Sequence, residues 1–410
     1  MRVLIFLATI GIFLWITSCQ KDTTKNGKSS VTNSLTDLEN SRKHELEEAN
    51  TQRQYDAINR KYKVLRKELK YIQKESSFKF GLDDDLQALS KPSIRSDFTK
   101  SYHPLSLQSV KKVIRDFGEL YVKETRGKTG DLTYEVLNVE QPWSGYWYPF
   151  TDRTLYEGDE APLLKLDLAL RNLGFDSNIA GEQARRFEGF RPDSWEGFCD
   201  GWSFAAILVP EPRSPKVIAG IEFSISDQKA ISTFGHINFP SEMYGIKYLG
   251  NSKTDGSYQD LRPEGFHRVV TQVLGMRGQA LVIDDTPGVQ VWNKPLYSYR
   301  WQITQDPDRD YAYLVKAYAW LVKERWSPDE EMTSIRDVVA PVYSYRLYVD
   351  KETQNSNGEY KVIAGEWIGD SEENHPGNAR VANEDAEIYS DNKEFYKHRK
   401  TIKSLFFNKN

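Results

Sequence analysis

Cysteine is almost missing from this chain: the 410 residues hold two, Cys19 and Cys199. Histidine is scarce too, with six in all, so few side chains are candidates for a general base. An excess of positive charge is also lacking. Lys and Arg number 55 against 59 Asp and Glu, a net charge of -4 with the signs interspersed, which gives no support to a nucleic-acid partner. What is abundant is aromatic: 10 Trp and 23 Tyr suit either a chain that handles extended polymers or an aromatic-rich core.

The first cysteine closes MRVLIFLATIGIFLWITSC, in which Arg2 precedes an apolar run too short for a dependable bilayer span. The layout reads as a signal peptide over residues 1–18. Ile16-Thr17-Ser18-Cys19 resembles a bacterial lipobox, with Cys19 lipidated as the new N-terminus. Gln20 then favours the outer membrane, and the membrane is met through the lipid. With Cys19 so used, Cys199 is left as the one thiol of an exported chain and forms no intramolecular disulfide. Its presence is explained either by core packing or by chemistry.

Residues 19–34 form a polar tether, and 35–100 a long membrane-proximal helix and linker, free of Gly and Pro up to about Lys74. Residues 101–384 are expected to form the catalytic domain, and 385–410 a charged tail with a short helix. Within the domain the pattern predicts helices at 107–122, 199–209 and 311–324. It predicts strands near 216–224, 266–274 and 279–283, and a strand pair 342–349 and 360–367 joined across QNSNG. The fold class expected is α+β, with Cys199 opening a helix packed on an antiparallel sheet.

A thiol with an ordinary pKa near ~8.5 needs a helix N-terminus or an imidazole to become a nucleophile. GFCDGW supplies the first: glycines permit a sharp turn into the helix, Pro210 and Pro212 end it, and backbone N–H groups at its start can receive an oxyanion. Among the histidines, His44, His103 and His398 lie in the membrane-proximal helix, a linker and the tail, while His236 and His375 sit in loop-like contexts. His267 opens HRVVTQVLG, read as a strand, and ALVIDD ends in Asp284 and Asp285. A hairpin between them would bring His267 beside Asp284 as base and orienting acid, with Asp285 a rival for the last role. Cysteine, histidine and aspartate in that order recur in papain-like and transglutaminase folds.

Six tracts then resemble, in order, the transglutaminase elicitor family: WSGYWYPFTDRTLYEG, WEGFCDGW, PEGFH, VIDDTPG, VWNKPLYSYRWQI and GEWIGDSEENHP. In VWNKP, Trp292, Asn293 and Pro295 match the family's V-W-N-Q-P pattern, and Lys294 replaces its glutamine. The resemblance implies a transglutaminase: Cys199 as nucleophile, His267 as base, Asp284 as acid, protein substrates bearing glutamine and lysine, and calcium as a cofactor. Trp195 falls where an indole N–H could serve the oxyanion or wall the cleft, and Trp202 and Trp292 where they would wall the substrate site. Asp200 stands where family members often carry histidine. Asp306, Asp308 and Asp310 alternate like metal ligands, but lack an EF-hand's glycine and terminal glutamate, so a solvated acidic turn fits them better. Two rivals use the same residues: a papain-like peptidase or amidase acting on envelope peptides, and a non-catalytic surface-binding lipoprotein.

Overall fold

The computed structural model describes residues 104–123, 132–136, 139–246, 261–329, 331–386, 388 and 390–407, together with Lys43. By internal packing the chain divides after Ala88, and all that follows concerns the second unit. The signal peptide, Cys19, the tether, the membrane-proximal helix, His44 and His103 lie outside the described residues.

In chain order the elements are α1 (Pro104–Phe117), β1 (Tyr121–Lys123), β2 (Leu132–Val136), α2 (Pro162–Asn172), α3 (Ile179–Arg186), α4 (Cys199–Leu208), β3 (Lys216–Ile218), β4 (Ile221–Phe223) and α5 (Ile225–Gly235). There follow β5 (Ser241–Gly245), α6 (Pro263–Val270), β6 (Leu281–Asp284), β7 (Asn293–Gln305), β8 (Ala312–Val322), β9 (Val338–Val339), β10 (Val342–Gln354), β11 (Glu359–Trp367), β12 (Asn378–Ala382) and α7 (Lys393–Phe406). Ten strands make one antiparallel sheet in the order β1-β11-β10-β8-β7-β6-β12-β5, with β2 also on β7 and β9 on β8; β3 and β4 form a separate hairpin. The α+β class holds.

Strand alternation sorts the side chains into two layers. Trp301 and Ile303 of β7, Val315 and Leu321 of β8, and Tyr345 and Leu347 of β10 pack on one face with Val113 of α1 and Phe266 and Val269 of α6. Val282 of β6 and Ala382 of β12 point the other way, into a layer that includes Leu166 of α2, Phe204 of α4, Phe234 of α5 and Phe395 of α7. Val322 of β8 likewise meets Trp202 and Trp143 on that second face. The C-terminal helix therefore belongs to this unit's core.

Three sequence expectations give way. HRVVTQVLG is helical: Pro263 opens α6, Phe266, Val269, Val270, Val273 and Leu274 follow a helical spacing, and the chain continues as a π-helical turn to Arg277 before Gly278 at φ +67°. Residues 311–324 form no helix. β8 runs through them as a central strand between β7 and β10, its alternate residues buried on the α6 face. Helix α1 ends at Phe117, because Gly118 at φ +69° closes it and returns its N–H to Ile114 O at 2.7 Å. The expected helix at Cys199 and the β10–β11 pair are present.

Candidate active site

β7 gains its β8 partner only from Leu296 onward, while Asp285 N donates to Trp292 O on the β6 side at 3.2 Å. The backbone at Val291 and Asn293 thus faces an edge without a strand, and α4 fills it. Cys199 and Ser203, one helical turn apart, lie along that edge. The Cys199 Sγ lies 3.6 Å from Val291 O, Asn293 Nδ2 donates to Sγ at 3.4 Å, and Ser203 Oγ donates to Asn293 O at 2.8 Å. The backbone N–H of Asn293 also turns to the sulfur. Two glycines allow close packing on the other sides of this helix and its entry turn. A Cβ on Gly197 would fall 2.4 Å from the Trp147 ring, and one on Gly201 would fall 2.4 Å from Thr233 O of α5.

Behind the thiol the sheet register sets three polar side chains in a row: Asn378 of β12 opposite Asp284 of β6, opposite Asn293 of β7. Asp284 shares the face of Val282, the face α4 covers, and is 2 % exposed. Its carboxylate accepts from Trp292 N at 2.9 Å and from Asn378 Nδ2 at 3.4 Å. Asp285 instead binds Lys294 Nζ at 2.6 Å, so that lysine has a carboxylate partner. Burial raises the Asp285 pKa, and the lysine pulls it back.

Burial pushes the Cys199 thiol up to about 11, and the neighbouring charge of Asp200 and the charge of Asp284 add to this; the Asn293 N–H groups oppose it. Asp200 lies 3.8 Å from Arg380 Nη1 and accepts from Asn238 N at 3.1 Å. At neutral pH the resting side chain is therefore a thiol.

His267 does not join this group. Its helix covers the opposite face of the sheet, where Nδ1 meets the Tyr345 hydroxyl at 2.6 Å and the ring packs on Trp301 at 4.5 Å. Burial and Arg268 lower its pKa to about 3. The hairpin expected to bring His267 beside Asp284 is absent because α6 is a helix. Among the described residues no histidine hydrogen-bonds Cys199. His236 meets Ser232 O at 2.7 Å, His375 Nδ1 meets Ser371 O at 2.8 Å, and His398 meets Asp176 O at 2.8 Å.

The tryptophans divide as well. Trp202 is fully buried, its indole N–H donating to Trp143 O at 3.3 Å, so it is core and not a wall of a substrate site. Trp195 is half-buried. Trp292 packs edge-on against Trp147 at 5.3 Å and tilts toward the exposed Trp326 at 6.4 Å. Sequence reasoning missed Trp147, Asn293, Asn378 and Arg380 as neighbours of the nucleophile. Asn293 and Trp147 carried a signal, their places in VWNKP and WSGYWYPFTDRTLYEG.

Calcium finds no fitting donor set in the acidic turn. The buried Asp306 carboxylate takes Arg346 Nε at 2.6 Å and Asp308 N at 2.9 Å, while Asp310 lies 4.0 Å from Lys351 Nζ. Among the described residues no group of three or more His, Cys, Asp or Glu side chains could hold a metal ion.

Fold and site together define an α+β protein with a buried cysteine at a helix start, held on a sheet edge. Residues 172–340, less than half of the chain and including Cys199, Asp284 and Asn293, match the family model described as Transglutaminase elicitor. The GP42 transglutaminase from Phytophthora sojae is similar in structure, with a TM-score of 0.49 at 16 % identity, covering 69 % of this chain and 91 % of that one. No curated protein matches the chain.

Proposed function

We propose that the protein is a cysteine-dependent acyltransferase of the transglutaminase type. The Cys199 thiol gives its proton to water and its sulfur attacks the γ-carboxamide of a protein-bound glutamine; the leaving nitrogen takes a proton back from water and departs as ammonia, and a lysine amine takes the acyl group from the thioester to give an isopeptide link. Water in place of the amine gives deamidation. The observation that carries this reading is the seating of Cys199: helix N-terminus, sulfur on the N–H groups of Asn293, and Asp284 in register behind, all within the segment that matches the family. A papain-like reading extends to the nucleophile's place on its helix. A role for His267 as base finds no support, because the sheet lies between it and the thiol.

Incubation with a labelled primary amine and a glutamine-bearing protein tests the proposal. Label is incorporated by the wild type and lost in Cys199→Ala; equal incorporation by the variant refutes it. Cleaved backbone without any joined glutamine–lysine pair would instead identify the peptidase rival. We also infer lipid anchoring at Cys19 and residence in the outer membrane, from the layout of residues 1–20. Release of Cys19→Ser from the membrane fraction is the expected result.

A further inference from the structure

Asn293 is 6 % exposed, and its two side-chain polar atoms differ sharply in their surroundings. Nδ2 donates to the Cys199 sulfur at 3.4 Å. Oδ1, bonded to the same carbon, is buried with no hydrogen-bond partner. A buried carboxamide oxygen without a donor is unfavourable. Folded proteins keep such groups mainly where something else supplies the donor. The packing fixes the backbone that carries this side chain. Ser203 holds the Asn293 carbonyl at 2.8 Å, β6 pairs the residue with Asp284, and Pro295, two positions on, pairs with Val282.

We propose that Asn293 is a catalytic residue: its N–H groups hold the Cys199 thiolate, and its Oδ1 accepts an N–H of the substrate carboxamide beside the sulfur. The substrate half of this inference rests on the acyltransfer reading above. The thiolate half does not. In the step it serves, the thiol proton passes to water, the sulfur–carbon bond forms, the carbon–nitrogen bond breaks, and the leaving nitrogen takes a proton back from water to depart as ammonia. Asn293 itself transfers no proton. Its Oδ1 orients the carboxamide nitrogen that leaves, and its Nδ2 and backbone N–H keep the sulfur in line with the carbonyl carbon. An ester donor has no such N–H and uses only the thiolate-holding half.

The test uses the full chain in a Cys19→Ser background, with Asn293→Ala and Asn293→Asp as variants whose folding is checked by thermal melts. Iodoacetamide labelling of Cys199 at pH 9 is expected to slow about tenfold in both, because each lacks the Nδ2 donor. With a glutamine carboxamide donor, kcat/KM is expected to fall about 100-fold in Asn293→Ala. With a p-nitrophenyl ester donor the fall is expected to be about tenfold smaller, since only the amide uses Oδ1. Asn293→Asp keeps an acceptor oxygen and should lose less of this preference for the amide. A variant that melts like the wild type and labels at the wild-type rate overturns the thiolate role. Equal losses on amide and ester overturn the substrate role. Wild-type failure on both donors would defeat the acyltransfer reading and the substrate role with it, and the labelling rates would still decide the thiolate role.

Discussion

Asp200 places a carboxylate next to the nucleophile, where it opposes the thiolate and helps raise the thiol to about 11. Arg380 answers that charge at 3.8 Å, its guanidinium lying 4.6 Å over the Phe204 ring. The arrangement keeps the resting thiol protonated. Removing the carboxylate lowers the thiol pKa and leaves Arg380 to favour the thiolate. Asp200→Asn is therefore expected to label several-fold faster with iodoacetamide at pH 8; unchanged or slower labelling would contradict this electrostatic account. Chemical type singled out Cys199 and Asp284 as candidates in the sequence, since few side chains do what they do. The partnership of Cys199 with Asn293 was not legible, because it spans 94 positions and depends on which residues β6 leaves facing α4. Parity then separates the two aspartates that sequence could not rank: Asp284 faces α4, and Asp285 pairs with Lys294.

Among the elements, α4 was legible because GFCDGW and the prolines mark both of its ends. β8 was not. Its Ala, Leu and Lys residues favour a helix locally, and the pull toward a strand comes from flanking partners that no local window contains. α6 was misread for the reverse reason: its valines suggested a strand, while the helical spacing from Phe266 to Leu274 was present all along. The two helices also differ in how tightly their glycines are held. A Cβ on Gly201 meets the Thr233 carbonyl at 2.4 Å, whereas on Gly265 the nearest atoms are side-chain carbons at 3.7 Å. Gly201→Ala is expected to destabilise the protein by about 1–3 kcal/mol through overpacking of α4 on α5. Gly265→Ala should be neutral or stabilise by up to about 1 kcal/mol, as alanine restricts the unfolded chain and suits a helix. Urea melts of both variants check the contrast, and similar shifts would show that α4 is free to move on α5.

For the molecule as a whole, two of the buried histidines, one on each side of the sheet, have lowered pKa values. His236 lies on the α4 side, stacked on Phe239 and lowered to about 4 by burial. His267 lies on the α6 side, lowered to about 3 by burial. In the unfolded chain both return to an ordinary value of 6.5. Between 6.5 and the folded values the unfolded chain binds more protons, so stability falls as pH drops through 6.5 and continues to fall to about 3. At the alkaline end the thiol acts in the opposite direction. Unfolded it ionises near 9.0 and folded near 11, so stability falls again as pH rises past 9.0, with the buried Tyr343 and Tyr345 adding to the loss above 10.0. The stability curve should therefore be widest between about 6.5 and 9.0. Urea midpoints measured from pH 4 to pH 10 check this. His267→Gln should flatten the acid limb and leave the alkaline one, while Cys199→Ser should ease the fall that begins near 9.0 and leave the acid limb. An acid limb unchanged in His236→Gln and His267→Gln would mean that carboxylates, not the two imidazoles, govern unfolding in acid.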